Sequence, residues 1–119
     1  MHELSISSAI VATAVRHADG RSVTAVQVRI GALRQVVPES LSFYFGIVAR
    51  ETVCEGARLE QELIEARLRC SDCDTEWEVD MAAFRCPVCE SAEVVVVCGE
   101  ELEVESIEVE TQEVPECIA

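Results

Sequence analysis

Residues 57–70, ARLEQELIEARLRC, read two ways, and the architecture turns on which reading holds. The composition favours a helix, and Leu59, Leu63 and Ala66 recur at helical spacing. Ile64, Ala66 and Leu68, however, alternate as the residues of a strand do. Local propensity alone selects the helix, but it is a weak preference that tertiary context overrides.

Towards the amino end the pattern is plainer. Leu4, Val11, Val15 and Ala18, with Ile6, Ile10 and Ala14 beside them, predict a helix over 4–18 that Asp19-Gly20 stops. Val26, Val28 and Ile30 alternate with Gln27 and Arg29, which predicts a strand over 23–30 closed by Gly31. Pro38 suits a first helical position and Glu39 the positive helix start. Leu41, Tyr44, Phe45 and Val48 then form an apolar stripe, so a second helix runs to about Arg50. Gly46 inside it costs about 1 kcal/mol relative to Ala, which predicts close packing there or a weak last turn.

Towards the carboxyl end, Cys70-x-x-Cys73 and Cys86-Pro-Val-Cys89 are separated by twelve residues. Each C-x-x-C presents two thiolates from a tight turn, and two such turns complete a tetrahedral sulfur site. Only Trp77, Val79, Met81 and Phe84 are available to bury in this segment, so a bound ion must supply most of its order. The expected ion is zinc, and because four cysteines leave no open coordination position its expected role is structural. Two disulfides, a redox pair of cysteines and iron in the same cage are the alternatives, the first disfavoured in a reducing compartment. Of the remaining cysteines, Cys98 follows four valines and reads as a buried small hydrophobe, Cys54 lies in a connection and Cys117 near the end. From Glu93 the β-branched run predicts a strand. Leu102 and Val104 sit on one parity, Ile107 and Val109 on the other, and a bulge near Glu105 and Ser106 reconciles them. After Glu110 a short acidic tail follows.

The 119 residues suffice for one modest core. The net charge is −14, and all nine basic residues are Arg. That sign excludes a nucleic-acid backbone as partner and attracts cations or a basic protein. No apolar run is long enough to cross a bilayer, so no membrane insertion is expected. The opening residues lack a secretory pattern, which predicts the cytoplasm. There is no Walker-type glycine loop and no nucleophile beside a base, so the chain reads as a non-enzyme whose energy-coupled steps come from a partner. His17 reads as a favourable charge at a helix end or a surface residue.

The other histidine is His2, in the opening MHELS. Its imidazole lies within chelating reach of the Met1 amine, and the intervening amides can serve as further nitrogen donors. Such a nitrogen set suits Ni(II) or Cu(II). MHELSISSAIV, RIGALRQVVPESLSFYF, the paired C-x-x-C motifs and GEELEVESIEVE together resemble the HypA/HybF family of hydrogenase nickel incorporation proteins, in order and over nearly the whole chain.

The resemblance implies a metallochaperone delivering Ni(II) for maturation of [NiFe]-hydrogenase. Its implied partners are a HypB-type GTPase and the hydrogenase large subunit or its maturation complex. It implies nickel at the Met1 amine, His2 and the amides of His2 and Glu3, with a lesser role for the Glu3 carboxylate, and structural Zn(II) at Cys70, Cys73, Cys86 and Cys89. Some relatives are thought to use an acidic residue before the second helix, where this chain has Pro38, which cannot ligate. The implied fold is α+β: a three-stranded antiparallel sheet with two helices on one face, and a four-cysteine zinc-binding module inserted between the second and third strands. The nickel-binding domain would take 1–68 and 99–119, the zinc-binding module 69–98, and the ambiguous stretch would be strand. A monomer and a homodimer exchanging strands both fit. A rubredoxin-like electron carrier or a zinc-ribbon interaction module would explain the cysteines without needing His2.

Overall fold

The computed structural model describes residues 2–79 and 85–110, apart from the side chain of His2. The first apolar stripe forms α1 (His2–Ala18), which starts two residues before the stripe does and gives way to a left-handed Asp19-Gly20 turn. The alternating run forms β1 (Val23–Gly31). Pro38 opens α2 (Pro38–Val48), with extended Val37 as its N-cap. Then follow β2 (Arg58–Ile64), β3 (Ala66–Cys70), β4 (Glu76–Val79), β5 (Val94–Cys98) and β6 (Leu102–Val109).

The strands make two sheets, ordered β2-β1-β6 and β4-β3-β5. On one face of the first, both helices bury Val26, Val28 and Ile30 of β1 against Ile10, Val11, Ala14, Leu41 and Phe45. Buried Ser7 on α1 is satisfied by donating to the Leu41 carbonyl of α2 at 3.2 Å. The opposite face is polar, and β1 ties both its neighbours there. The Gln27 amide donates to Glu60 at 2.9 Å and Glu108 at 2.6 Å, and Arg29 meets Glu62 at 3.6 Å and Glu103 at 3.0 Å.

Three expectations are corrected. The first sheet is mixed: β6 is antiparallel to β1, but β2 runs parallel to it, Ala25 opposite Arg58 and Gly31 opposite Ile64. The reason is the connection, since a chain that returns through a helix can lay its next strand parallel, as a hairpin cannot. Residues 57–70 form strand, as the resemblance implied, but two strands broken at Glu65 and belonging to different sheets. Leu63, which a helix would have buried, is 63% exposed. The run after Glu93 likewise divides into β5 and β6. The bulge in β6 falls where the parity switch puts it: Ser106 faces Gln27 and Val104 faces Val28, leaving Glu105 over.

The chain passes between the sheets at two adjacent places, and small residues let the backbones meet there. A Cβ on Gly31 would lie 2.0 Å from the Gly99 carbonyl carbon. One on Gly99, whose φ is +115°, would lie 2.5 Å from Ala66 Cα. Gly31 N–H donates to Glu101 O at 2.7 Å, Leu33 N–H to Gly99 O at 2.8 Å and the Arg34 guanidinium to Glu100 O at 2.8 Å. Gly46, by contrast, has nothing within 4 Å of an added Cβ, so close packing does not explain it.

Candidate functional site

The second sheet carries two turns of matching build. In the first, Cys70 N–H donates to Thr75 O and Asp74 N–H to Cys70 O, both at 2.9 Å. In the second, Cys86 N–H donates to Ser91 O at 3.0 Å and Glu90 N–H to Cys86 O at 2.9 Å. Asp74 and Glu90, each following the second cysteine of its pair, adopt φ of 61° and 60° and turn the chain back. A hydroxyl follows at the next position: Thr75 Oγ1 lies 3.2 Å from Cys73 Sγ, and Ser91 Oγ donates to the Asp72 carboxylate of the opposite turn. The shared spacing, CSDCDT and CPVCES, was a signal for these outer residues that counting cysteines alone misses.

The turns face each other and bring together Cys70, Cys73, Cys86 and Cys89, all four Sγ atoms within 4.8 Å of one another. Cys70 and Cys89 approach to 3.5 Å, Cys73 and Cys86 to 3.6 Å. A disulfide requires about 2.05 Å. Tetrahedral ligands at a metal–sulfur distance of about 2.3 Å would stand roughly 3.8 Å apart, so the four sulfurs are spaced to hold one ion. Cys70 and Cys86 are buried, while Cys73 and Cys89 are exposed. Two backbone N–H groups, from Val88 and Cys89, approach Cys86 Sγ at 3.4 and 3.5 Å.

The two exposed thiols are shifted in opposite directions. The hydroxyl and N–H of Thr75 draw Cys73 down to about 6. At Cys89 the Ser91 N–H favours the thiolate, but the neighbouring sulfurs, Cys70 first, push the thiol up to about 12. A divalent cation eases that conflict by offsetting half of the charge that four thiolates would carry.

At the amino end, Met1 and the His2 side chain lie outside the described residues. The backbone of His2 begins α1, and the N–H groups of a first helical turn have no acceptor within the helix. Glu3 reaches across to α2: its Oε2 accepts the Val37 N–H at 3.2 Å, and this bond first of all holds its carboxyl below the usual carboxylate range. No local pattern marks that contact, which joins residues 34 positions apart. Among the other cysteines the order of burial is the reverse of the sequence expectation. Cys54 is fully buried in the main core, which raises its thiol, whereas Cys98 is half-buried and sits beside Glu65 O at 3.4 Å, on an edge strand that the short second sheet does not cover. His17 is exposed. Cys117, Met81 and Phe84 lie outside the described residues.

The family model for hydrogenase/urease nickel incorporation, metallochaperone, hypA matches residues 1–109. The hydrogenase maturation factor HypA of Geotalea uraniireducens is 43% identical over 110 residues, covering 92% of this chain and all of that one. That of Geobacter sulfurreducens is 41% identical over the same shares. Among solved structures, the Ni metallochaperone HypA from Helicobacter pylori aligns with a TM-score of 0.66 at 25% identity, over 90% of this chain and 96% of that one. With the family model spanning both the amino-terminal helix and the four-sulfur turns, the chain belongs to the HypA family of nickel incorporation metallochaperones.

Proposed function

We propose that the chain carries Ni(II) at its amino end, on the amine of Met1, the amide nitrogens of His2 and Glu3 and the imidazole of His2, and delivers it for maturation of [NiFe]-hydrogenase. In the same reading Zn(II) occupies the four-sulfur site and orders the small sheet. The observation that carries this division is the closed sulfur set: four convergent cysteines leave no position through which an ion could be passed on, so cargo belongs elsewhere. Two facts support the amino end. The amides concerned stand in the first turn of α1, so using them as donors breaks no helical hydrogen bond. Nitrogen donors also suit Ni(II). Residues 1–64 and 102–119 would then form the nickel-carrying unit and residues 65–101 the zinc-binding module, since β3 pairs with β4 and β5 and a boundary after residue 68 would cut it. Hand-over would engage a HypB-type GTPase and the hydrogenase large subunit or its maturation complex, in the cytoplasm.

The test is a calorimetric nickel titration of untagged protein with known zinc content, beside His2→Ala. One nickel should bind tightly and be lost on substitution, while zinc stays at one per chain. Equal nickel affinity in both proteins would overturn the site. Iron in the purified protein, visible as a red colour, would overturn the zinc assignment.

A further inference from the structure

The apolar residues of β6 are on the helix-covered face of the first sheet, yet they are only partly covered. The bulge at Glu105 keeps Leu102, Val104, Ile107 and Val109 on one face, but Leu102 is 37% exposed and the other three are only partly buried. The flank of α1 stands over this strand without closing on it. Between them lie two grooves of about 300 and 290 Å³. Ile6, Ala9 and Ile10 line the first with Leu102, and His17 with Ile107 the second, while Thr13 and Val104 line both. The grooves therefore run on along β6 from Leu102 to Ile107. β6 is also a terminal strand of its sheet, so its outer backbone edge pairs with nothing among the described residues.

The charge of the strand says what fits there. Residues 101–110, EELEVESIEVE in the frame 100–110, carry carboxylates at Glu101, Glu103, Glu105, Glu108 and Glu110 and no basic residue. Glu103 is paired with Arg29, but Glu105, at the bulge and on the groove rim, meets no guanidinium among the described residues. A second copy of β6 laid on this edge would set carboxylates against carboxylates, which is destabilising. A strand bearing basic residues would have the opposite sign at every such position, and its alternate apolar side chains would fall on the groove face.

We propose that the free edge of β6, with the groove between it and α1, is a docking site for an extended segment of another protein in which apolar and basic residues alternate. The partner adds a strand to the sheet: main-chain hydrogen bonds form along β6, apolar side chains enter between Ile6, Thr13 and Val104, and basic side chains meet Glu103 and Glu105. The site shares no residue with either metal position, so it does not depend on the nickel reading.

The probe is a synthetic octapeptide of alternating Val and Lys, capped at both ends and titrated into zinc-loaded full-length protein at 0.15 M salt with amide shifts followed by NMR. Shifts should concentrate in 102–109 and in the α1 positions 6, 9 and 13. Glu105→Lys should weaken binding at least tenfold, whereas Glu93→Lys, the same change of charge on an exposed residue just before β5, should weaken it less than twofold. A peptide with Pro at the centre should lose most of its affinity, because it cannot continue the ladder. Equal effects of the two charge reversals, or indifference to proline, would reduce the binding to general attraction by an acidic protein and overturn the proposal. So would no binding at all, which would leave the acidic edge as a guard against aggregation, and so would self-association through β6 in place of peptide binding.

Discussion

Glu3 is one residue from the proposed nickel ligand His2, yet its carboxylate is engaged with the Val37 N–H at the start of α2. Two substitutions separate a ligand from a brace. Glu3→Gln keeps an oxygen able to accept that N–H but removes the charge. Val37→Pro removes the donor at a residue whose φ of −87° is close to what proline adopts. If the carboxylate braces the amino end, nickel titration should find Glu3→Gln within about twofold of the parent and Val37→Pro several-fold weaker; the opposite ranking would make Glu3 a ligand. The pH dependence follows from the direction of the shift. A carboxyl held below its usual range keeps its contribution above that range and loses it only as the pH falls through the depressed value. Loss of nickel in mildly acidic buffer therefore belongs to protonation of imidazole and amide donors, and the Glu3–Val37 bond should persist through it, visible as an unchanged Val37 amide shift.

At the scale of elements, the three glycines with different surroundings make a graded test. Gly46→Ala fills open space in a helix and should stabilise the protein by up to about 1 kcal/mol. Gly31→Ala and Gly99→Ala drive a methyl group into neighbouring backbone, the latter also at positive φ, and should each cost about 2 kcal/mol or more. Denaturant midpoints would check the order. These surroundings were invisible in the sequence, because Gly31 is constrained by Gly99 and Gly99 by Ala66, contacts made across the fold. α1, α2, β1 and the bulge of β6 were legible, since each shows its own period over eight or more residues and buries one face in a single core. Residues 57–70 were not. Leu59 belongs to the helix-covered core while Leu68 is buried in the other sheet, so no one period could describe both. Strand direction was equally hidden, as no residue in β2 records whether its neighbour runs with it or against it. The four sulfurs were legible because ligand spacing is local, and the Glu3–Val37 bond was not because it is formed by tertiary packing.

For the whole molecule, the two sheets should respond differently to loss of metal. The β2-β1-β6 sheet has a helix-covered core, whereas β4-β3-β5 buries chiefly Ala66, Leu68, Cys70 and Cys86. Stripping with a strong chelator should abolish the dispersed amide signals of β3, β4 and β5 and retain those of α1, α2 and β1; simultaneous loss of both sets would show a single cooperative unit. Acidification should discriminate between the proposed ions. An imidazole titrates ordinarily near 6.5, while thiols that coordinate a cation are deprotonated outright by its charge. Moving from pH 7.5 to 6 should thus release nickel and keep the four-sulfur ion, as metal analysis after desalting would record. The position of the small sheet in the chain carries one more consequence. It is spliced in between β2 and β6, the two strands that flank β1, so the segment from Glu65 to Glu101 is a closed loop of roughly forty residues seen from the larger sheet. When disordered, that loop opposes closure of the sheet through chain entropy that grows as (3/2)RT ln n; when the ion orders the small sheet, the β3–β5 pairing sets Arg67 opposite Cys98, the effective loop shrinks to a few residues and about 2 kcal/mol of that entropy is removed in advance. An ion that touches no residue of the larger sheet thereby tightens it through the statistics of the connecting chain.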